Sequence, residues 1–487
     1  MSAVFVAAMF MSIMDATIVN VALPTIGREF RVSPTDVGSI SIGFLVSLAV
    51  FIPASGWLGD RFGGKRVLLG AIALFTAASA LCGTANGLGE LVGYRILQGV
   101  GGGMMAPVGM AMLYRVFPPE ERVRASAILT VPTTLAPALG PVIGGVLVTD
   151  LSWRWVFYVN VPIGLAAVAF GAVALRHEPQ AKVGRFDVAG FVLAGTGLGL
   201  LMYGISEGPM LGWRSASVLA TAAAGVLLLA AMVGVELRAS QPVVALRLLG
   251  NRLFRSGNVV MVLVSVSFFG TLYAVSLYYQ DGRGMSALAS GLSTFPEALG
   301  VMAGAQMASR VIYPRLGPRR HITGGLLAVT VVVALMALLG PSASLWWARL
   351  LMFCLGLGMG QVFVPTQAAA FATISPAATG KASTLFNALR QLGGAVGVAV
   401  LTTAIVATGP VVQRHGHLVP HFLAYRVAFL LAAVFSLAAT VGSLAIVDSE
   451  AARTMQPRRR GHAGRLDGRP VAAGVDRGSP TPGRADV

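Results

Sequence analysis

The feature that most constrains this chain is a series of fourteen apolar runs, each long enough to cross a lipid bilayer. A transmembrane helix needs about 20 consecutive apolar residues. Charged residues make up 11% of the 487 residues, whereas soluble proteins carry about 25%. The sequence therefore predicts an all-α polytopic membrane protein with fourteen transmembrane helices. Their approximate limits are 3–26, 36–58, 66–86, 91–114, 125–148, 155–175, 187–206, 216–236, 257–279, 288–310, 322–341, 347–371, 383–407 and 422–446.

An internal repeat relates the first six spans to the last six. The sequence GDRFGGKR (Gly59–Arg66) follows the second span, and YPRLGPRR (Tyr313–Arg320) follows the tenth, 254 residues later. An even number of spans separates the two groups, so they run in parallel, as in transporters built from parallel repeats. The same offset aligns Arg61 with Arg315, Gly63 with Gly317, Lys65 with Arg319, Arg66 with Arg320, Arg95 with Arg349 and Gly140 with Gly394.

We therefore predict two six-helix bundles in a parallel pseudo-repeat, with two inserted helices between them. The N-terminal bundle is predicted at 1–180, the inserted pair with its linkers at 181–250, and the C-terminal bundle at 251–448. The segment 449–487 is rich in Arg, Gly and Pro, a composition typical of disordered chains. It is predicted to be a basic cytoplasmic tail.

The distribution of basic residues predicts the orientation of the chain. Arginine and lysine are concentrated in the loops that follow even-numbered spans and in the C-terminal tail. Because short cytoplasmic loops carry an excess of basic residues, both termini are expected in the cytoplasm. This topology explains the formal net charge of +17, and no nucleic-acid partner is expected. The protein should lie in the lipid bilayer as a monomer.

Five motifs together resemble those of a known family. They are LGDRFGGKR after the second span, MDATIVNVALP in the first, RILQGVGGGMMAP in the fourth, APALGPVIGG in the fifth and WRWVFYVNVPIG leading into the sixth. On these motifs the chain resembles the major facilitator superfamily, and within it the fourteen-span drug:proton antiporters of the QacA/EmrB type. The resemblance covers nearly the whole chain. It implies the major facilitator fold and a place in a bacterial cytoplasmic (inner) membrane.

The loop at Gly59–Arg66 is the predicted gating loop. Its glycines permit a tight turn beneath the neighbouring bundle, and Asp60 can accept hydrogen bonds from a helix N-terminus or pair with a basic side chain. In the family this motif is thought to latch the cytoplasmic side; a basic turn that merely sets the topology is the alternative. The second copy has Pro314 in place of Asp60, so its latch would be incomplete. The residues assigned to the gate are Gly59, Asp60, Arg61, Gly63, Lys65 and Arg66.

The fifth span carries the predicted antiport motif, with Gly140, Pro141, Gly144 and Gly145. Gly140 and Gly144 share one helix face and let a partner backbone approach closely. Pro141 removes one backbone donor and can kink the helix. Ordinary packing of small residues explains the same pattern. The resemblance adds an association with antiport and export rather than symport.

Two carboxylates lie well inside predicted spans, Asp15 in the first and Glu297 in the tenth. A charge at membrane depth costs about 2.5–3.5 kcal/mol on insertion scales, so such residues are candidates for function. We expect both to face a water-filled central cavity, where a carboxylate can bind and release protons. Asp15 matches the acidic position of the family's first span, and we assign it to proton coupling. Glu297 would recognise a cation or provide a second proton site.

Each of these assignments has a simpler alternative. Asp15 could be a structural residue that is hydrogen-bonded to Thr17, to Asn20 or to another helix. Glu297 could lie at the outer interface, where water reaches it. Arg95 in the fourth span is assigned to proton coupling, as a residue that faces the bundle interior and tunes nearby acids. It could instead lie near the membrane interface and extend its side chain to water.

Polar and aromatic side chains are candidates for lining the substrate cavity. We select Asn20, Gln98, Tyr273 and Glu297, although aromatic residues of spans more often face lipid or neighbouring helices. The segment Trp153–Pro162 is typical of an aromatic belt at the outer interface. A cluster of three histidines is assigned to a solvated outer loop; it comprises His415, His417 and His421.

The sequence as a whole predicts a proton-coupled antiporter that exports lipophilic or cationic drugs or antibiotics by alternating access. Protons would be the coupling partner, and no cofactor is implied. A dedicated exporter of one endogenous metabolite or antibiotic is the main alternative, and the fifth-span motif disfavours a nutrient symporter. A membrane enzyme would need a nucleophile–base pair or a metal-ligand cluster at membrane depth, so no enzymatic activity is expected. A sensor without transport activity should lack the internal acidic residues.

Overall fold

A computed structural model describes residues 2–32, 34–117, 121, 135–136, 139–140, 142–175, 186–238, 245–414 and 417–451. Pro141, much of the predicted fifth span and nearly all of the predicted tail therefore lie outside the described residues. We number the long helices α1–α14 in chain order.

The first six helices are α1 (Ser2–Phe30), α2 (Pro34–Phe62), α3 (Gly64–Thr84), α4 (Leu88–Val116), α5 (142–150) and α6 (Trp155–Ala174, interrupted at Val159). Two helices follow, α7 (Val188–Leu211) and α8 (Ala216–Glu236). The last six are α9 (Arg252–Leu277), α10 (Ala287–Met307), α11 (Tyr313–Met336), α12 (Leu345–Ala370), α13 (Thr379–Thr408) and α14 (Phe422–Ser443). The π-helical segments Tyr278–Gly282 and Ala308–Ile312 extend α9 and α10, and short 3₁₀ helices lie at Leu246–Gly250 and Pro376–Ala378.

Side-chain caps fix the start of several helices. Asp187 accepts a hydrogen bond from the backbone N–H of Gly190 at 2.8 Å, at the start of α7. Asn251 accepts one from the N–H of Phe254 at 3.0 Å, at the start of α9. Such caps satisfy backbone donors that the first helical turn leaves free. Polar residues next to long apolar runs thus define where these helices begin.

The membrane architecture is confirmed, but its span count is not. Twelve segments of the described residues are long and apolar enough to cross a membrane. One of them, Leu288–Met336, has 49 residues and contains both α10 and α11, which is about twice the length that one crossing needs. The predicted fifth span is described in part. The fourteen spans, with two of them inserted, therefore stay a prediction.

Helix packing repeats between the N half (α1–α6) and the C half (α9–α14). In the N half α2 packs on α4, α3 packs on α4 and α6, and α1 packs on α6. In the C half α10 packs on α12, α11 packs on α12 and α14, and α9 packs on α14. Gly63 and Gly317, which the sequence repeat aligns, both have positive φ, at 85° and 74°. Both loops therefore use the left-handed backbone conformation that favours glycine.

Glycines bring the paired helices into backbone contact. A Cβ atom at Gly99 in α4 would lie 2.8 Å from the Cβ of Ser47 in α2. One at Gly356 in α12 would lie 2.9 Å from the backbone nitrogen of Val301 in α10. Real Cβ atoms do not come this close, so glycine is needed at both crossings, as is common between membrane helices. The glycine-rich run after Arg95 thus serves helix packing.

The two halves meet along α13. This C-half helix contacts α2 and α4 of the N half. Helix α7 contacts both α2 and α13, so it lies along the boundary between the halves. Trp213, just after α7, donates a hydrogen bond from Nε1 to Oγ1 of Thr403 in α13 at 2.7 Å.

A short β-hairpin departs from the predicted all-α architecture. Val411–Arg414 (β1) and His417–Pro420 (β2) pair antiparallel, with Val411 opposite Pro420. Gly409, with φ at 81°, lies just before β1. His421 follows β2, and its Nδ1 lies 2.9 Å from the carbonyl oxygen of Gly409. The outer loop that was assigned as solvated is therefore partly ordered by backbone pairing.

Candidate functional site

A buried polar network at the centre of the N half is built around Asp15. The side chain of Asp15 on α1 is completely buried and forms an ion pair with Arg95 on α4. Gln98 donates from Nε2 to Oδ1 of Asp15 at 2.9 Å and accepts from Arg95 at 2.7 Å. Three residues that the sequence analysis selected are therefore brought together at one point.

Two more helices contribute to the same network. Asn160 on α6 donates from Nδ2 to Oδ1 of Asp15 at 2.9 Å and to Oγ of Ser79 at 3.1 Å. Ser79 on α3 donates in turn to the carbonyl oxygen of Phe157 at 2.9 Å. All of these polar side chains are buried. The carboxylate of Asp15 is thus held directly by α4 and α6 and braced by α3.

Aromatic rings enclose the cation of this network. The guanidinium carbon of Arg95 lies 4.2 Å from the ring centroid of Phe44 and 5.8 Å from that of Phe157. A cation over a ring face gains electrostatic stabilisation, especially where water is excluded. Arg95 is 1% exposed. It therefore faces the bundle interior, and the alternative that it extends to water at the interface is wrong.

The surroundings of Asp15 also correct one expectation. Asp15 was expected to face a water-filled cavity, but it is 0% exposed and its partners lie on α4 and α6, within the N half. Removing one partner of a buried ion pair costs about 3–5 kcal/mol, because the remaining charge stays buried. In the conformation described, Asp15 is therefore closed off from solvent.

The glycines of the predicted antiport motif pack against α1 beside Asp15. A Cβ atom at Gly140 would lie 3.1 Å from the backbone nitrogen of Ile18, and one at Gly144 would lie 3.2 Å from its carbonyl oxygen. A Cβ atom at Gly145 would meet no described atom within 4 Å, and Pro141 lies outside the described residues. Movement of the segment around Gly140 relative to α1 would therefore act within one turn of Asp15.

A second charged pair lies at the predicted gate. Asp60, near the end of α2, is buried and forms an ion pair with Arg115 near the end of α4. A Cβ atom at Gly380, in the first turn of α13, would lie 3.0 Å from Oδ1 of Asp60 and 3.2 Å from Nη2 of Arg115. The pair therefore touches the N-terminus of a C-half helix, where the helix dipole favours a negative charge.

The other residues of the gating loop either shape the turn or face outwards. Gly63 supplies the positive φ, and Gly59 lies within α2. Lys65 donates from Nζ to two carbonyl oxygens at the end of α6, both at 2.7 Å. Arg61 and Arg66 are exposed. Within the loop, Asp60 thus contacts α13 of the C half, whereas Lys65 joins α3 to α6 within the N half.

Contacts between the halves continue along α13 beyond the gate. Oγ of Ser55 in α2 lies 3.2 Å from Oγ1 of Thr384. One turn further, Nδ2 of Asn387 lies 3.7 Å from Sδ of Met110 in α4. The halves are therefore in contact from Gly380 to Asn387, on the side that the sequence predicts to be cytoplasmic.

Glu297 lies in the C half, apart from the Asp15 network. It is 5% exposed on α10, so a water-exposed position at the outer interface is wrong. Among the described residues no hydrogen-bond partner reaches its buried Oε1. Arg349, the repeat equivalent of Arg95, instead lies 3.4 Å from Oγ of Ser293, one turn before Glu297. A buried carboxylate with this much unused hydrogen-bonding capacity is unusual.

The four candidates for the substrate cavity are not connected to one another by any described hydrogen bond. Gln98 belongs to the Asp15 network. Asn20 is exposed and accepts a hydrogen bond from Oγ of Ser41 at 3.2 Å. Tyr273 is 40% exposed on α9. The cavity assignment therefore stays a prediction.

The predicted aromatic belt is partly a buried anchor. Trp153 is 1% exposed and donates from Nε1 to Oε2 of Glu29 at 2.6 Å. Arg154 donates to Oε1 of the same carboxylate at 2.7 Å, and this hydrogen bond lowers the pKa of Glu29. Trp155, which is 48% exposed, does fit an interface position. Trp153 therefore ties the end of α1 to the start of α6.

Comparison with known proteins identifies the family of this chain. A model of the Major Facilitator Superfamily matches residues 5–398. The chain belongs to the major facilitator superfamily. This family is one of transporters, and the chain is therefore a multi-pass membrane transporter rather than an enzyme.

Curated superfamily relatives are similar over most of their length. The multidrug resistance protein B homolog of Mycobacterium tuberculosis (strain ATCC 25618 / H37Rv) is 32% identical over 407 residues, which cover 82% of this chain and 75% of the relative. The tetracenomycin C resistance and export protein of Streptomyces glaucescens is 34% identical over 389 residues, covering 80% and 72%. The putative multidrug resistance protein MdtD of Serratia proteamaculans (strain 568) is 30% identical over 395 residues, covering 80% and 82%. These relatives are bacterial.

Among solved structures, the crystal structure of the human organic anion transporter MFSD10 (TETRAN) matches with a TM-score of 0.65. The match covers 91% of this chain and 98% of that chain at 16% sequence identity. At this identity the likeness shows the fold alone, and it agrees with the predicted major facilitator fold.

Sequence reasoning missed three residues of the two charged sites, the Asp15 network and the pair at the gate. Asn160 and Ser79 are isolated polar residues in apolar helices, which is the signal that could have identified them. Arg115 directly follows the predicted fourth span (91–114), where basic residues were interpreted only as a sign of orientation, but it lies on α4 and pairs with Asp60. The sequence could not show which basic residue pairs with Asp60, because basic residues are common at the predicted cytoplasmic end of the spans.

Proposed function

We propose that this transporter exports lipophilic drugs or antibiotics from the bacterial cytoplasm in exchange for protons. The observation that carries the proposal is the fully buried Asp15–Arg95 pair at membrane depth. Ionisable groups in such positions are rare in membrane helices and commonly mark proton or substrate pathways. The names of the bacterial relatives support drug or antibiotic export as the physiological activity.

Proton exchange at Asp15 would change the energy of the whole network. Protonation removes the negative charge that holds Arg95 and the amide of Asn160. The cation would then be buried without a counter-charge, so the protonated state favours a different packing of α1, α4 and α6. A membrane potential of about 100 mV adds about 2.3 kcal/mol for each charge moved.

The gate supports alternation between two states. Asp60, Ser55 and Asn387 with their partners hold the two halves in contact at the predicted cytoplasmic side. Cargo could enter from the cytoplasm only after α13 separates from α2 and α4. Rocking of two repeats around a central site is the usual form of alternating access in such folds. Glu297 is our candidate for a cation-binding or second proton site.

We further propose that the chain belongs to the fourteen-span drug:proton antiporters of its superfamily. The 49-residue candidate span with two helices, together with the helical residues 142–150, supports fourteen crossings. An even number of crossings and the arginine-rich loops support cytoplasmic termini in the inner membrane. A monomeric state and the absence of a cofactor are part of the same proposal.

Export of a single compound is the second candidate function. The relative named for tetracenomycin C resistance and export is 34% identical to this chain, and its name refers to one antibiotic. A dedicated exporter would use the same proton coupling but would transport a narrow range of cargo.

Everted membrane vesicles test the proposal. With an imposed proton gradient, vesicles that contain the wild-type protein should take up ethidium or fluorescein, and nigericin should abolish the uptake. Asp15→Asn should lower gradient-driven uptake about 100-fold, since the group that exchanges the proton is lost. Addition of the dye should also release protons, which a pH-sensitive fluorophore reports.

Glu90→Gln serves as the matched control. Glu90 is an exposed carboxylate at the start of α4, outside both charged sites, so its substitution should leave uptake unchanged. Gradient-driven uptake by Asp15→Asn at the wild-type rate would remove Asp15 from the mechanism. Uptake of both dyes that persists in nigericin would refute proton coupling altogether.

A further inference from the structure

Helix α13 contains an arginine to which neither charged site gives a role. Arg390 lies near the centre of the candidate span Pro376–Thr408. Within the described part of the chain no hydrogen bond, ion pair or ring contact involves its side chain. A lone charge at this depth costs about 2.5–3.5 kcal/mol on insertion scales. Its retention there calls for a compensating interaction.

Contact with lipid cannot compensate the charge of Arg390, because the residue lies between helices. None of the residues 379–405 of α13 is exposed, and the helix is packed against α2, α4, α7, α9 and α14. Arg390 itself is partly exposed, as are all residues from 388 to 392. This exposure therefore opens onto space between helices.

Arg390 lies one turn beyond the last described polar contact between α13 and the N half. Thr384 and Asn387 contact the N half, and Arg390 follows Asn387 by three residues on the same helix face. One turn further, a Cβ atom at Gly394 would lie 3.1 Å from the ring of Phe269 in α9. The arginine therefore lies near mid-membrane depth on the helix that faces the N half, where a cargo site between two repeats is expected.

Three buried carboxylates were described above, and none of them pairs with Arg390. Asp15 pairs with Arg95, and Asp60 pairs with Arg115. Glu297 lies on α10, which packs against α12 rather than α13. None of these three carboxylates therefore neutralises Arg390 in the conformation described.

The guanidinium group specifies the chemistry of that partner. It carries five N–H donors in a planar fork, keeps its charge at all physiological pH values and binds carboxylate-like oxygens in a bidentate manner. We propose that Arg390 binds an acidic oxygen of the cargo, either a carboxylate or an ionised phenol. The proposal rests on the export function proposed above and narrows its cargo from lipophilic drugs in general to those with an acidic group.

Two dyes with related ring systems test the proposal by direct binding. Fluorescein carries a carboxylate and an ionised phenol, whereas tetramethylrhodamine methyl ester is a cation whose carboxyl group is esterified. Binding of each dye to the purified protein in nanodiscs is measured by fluorescence polarisation. This measurement needs no proton gradient, so a failure of proton-driven export leaves its result intact.

We expect wild-type protein to bind fluorescein, and Arg390→Gln to bind it at least about tenfold more weakly, the effect of losing a charge-assisted hydrogen-bonded pair. Arg390→Lys should be intermediate because it keeps the charge and loses the fork. Binding of tetramethylrhodamine methyl ester should be unchanged or tighter in Arg390→Gln. Unchanged binding of this cation also shows that the variant is folded.

Arg349→Gln is the matched control. Arg349 is also an arginine of the C half, but it lies over the ring of Trp346 at 5.1 Å and contacts Ser293, so its substitution should leave fluorescein binding within about twofold. Equal binding of fluorescein by wild-type protein and Arg390→Gln would overturn the proposal. So would equal loss of both dyes in Arg390→Gln and Arg390→Lys, because that result would assign Arg390 a structural role.

Discussion

The two halves share one helix arrangement but handle their buried charges differently. In the N half, Asp15 and Arg95 are both buried and neutralise each other. At the equivalent positions, 254 residues later, the C half has Phe269 and Arg349. Arg349 is partly exposed, and the hydrogen bond described for its side chain, to Ser293, is long at 3.4 Å.

The C half instead places its charges at new positions. Glu297 is buried with an unpartnered Oε1, and Arg390 lies near the centre of α13 without a partner among the described residues. The repeat equivalents of these residues are Gly43 and Ala136. Because paired charges need no ligand and unpaired charges do, the comparison indicates a division of roles. The N half would hold the exchangeable proton, and the C half would contact cargo.

The largest expected effect separates the two arginines of the repeat. Arg95→Met should lower the free energy of unfolding by about 3–5 kcal/mol, because it leaves the carboxylate of Asp15 buried and unpaired. Arg349→Met should cost less than about 1 kcal/mol, since its charge is partly exposed and weakly paired. Thermal unfolding of the purified proteins compares the two. The double variant Asp15→Asn/Arg95→Met should recover most of the loss, and similar losses in both single variants would contradict the comparison.

The gate should respond next most strongly. Asp60→Asn removes the charge that pairs with Arg115 and faces the start of α13, which we expect to weaken the closed state by about 1.5–3 kcal/mol. Cysteines at Ser55 and Thr384, in a background with Cys82 and Cys354 replaced by alanine, report closure through disulfide formation. The rate should fall about tenfold or more in Asp60→Asn.

The second copy of the gating motif provides the control for this measurement. In that copy Asp448 accepts a hydrogen bond from the backbone N–H of Arg319 at 2.8 Å, and both residues belong to the C half. Asp448→Asn should therefore leave the crosslinking rate unchanged. If both substitutions slow crosslinking equally, Asp60 is not the specific latch between the halves.

A smaller effect distinguishes a network residue from an ordinary buried amide. Asn160→Ala loses two hydrogen bonds, one of them to the Asp15 carboxylate, and should cost about 2 kcal/mol. Asn258 is also buried but makes a single described hydrogen bond, to the carbonyl oxygen of Phe254 at 2.8 Å, so Asn258→Ala should cost about 1 kcal/mol. Thermal unfolding again gives the comparison. A smaller loss for Asn160→Ala than for Asn258→Ala would argue against a cooperative network.

The smallest effect concerns the outer end of the N half. The hydrogen bond from Arg154 lowers the pKa of Glu29, so the folded state is stabilised while the carboxylate is charged, and this stabilisation is lost as pH falls through the lowered pKa. Glu29→Gln should therefore cost about 0.5 kcal/mol near pH 7 and less near pH 3. Unfolding temperatures at the two pH values provide the measurement. A difference that grows on acidification has the wrong sign for this explanation.

Much of the architecture could be predicted because it depends on local sequence patterns. Apolar runs predicted the membrane helices, and the repeat correctly aligned Gly63 with Gly317, which share a positive φ. The site was predictable in part: Asp15, Arg95 and Gln98 were selected from their polarity within apolar helices, and they meet. The water-filled surroundings expected for Asp15 were wrong, because polarity in a span does not reveal whether protein or water supplies the partner.

The sequence by itself determined that this chain is a multi-pass helical protein with two related halves, since hydrophobic length and periodicity act within each helix. The tertiary structure alone decided which charges are paired. Asn160 reaches Asp15 across 145 residues of sequence, and Thr384 reaches Ser55 across 329. Such partners are chosen by how helices pack, and a buried charge takes whichever donor or acceptor the packing brings within hydrogen-bond distance. Among the described residues packing brings no partner to Arg390, which leaves its charge for the ligand proposed above.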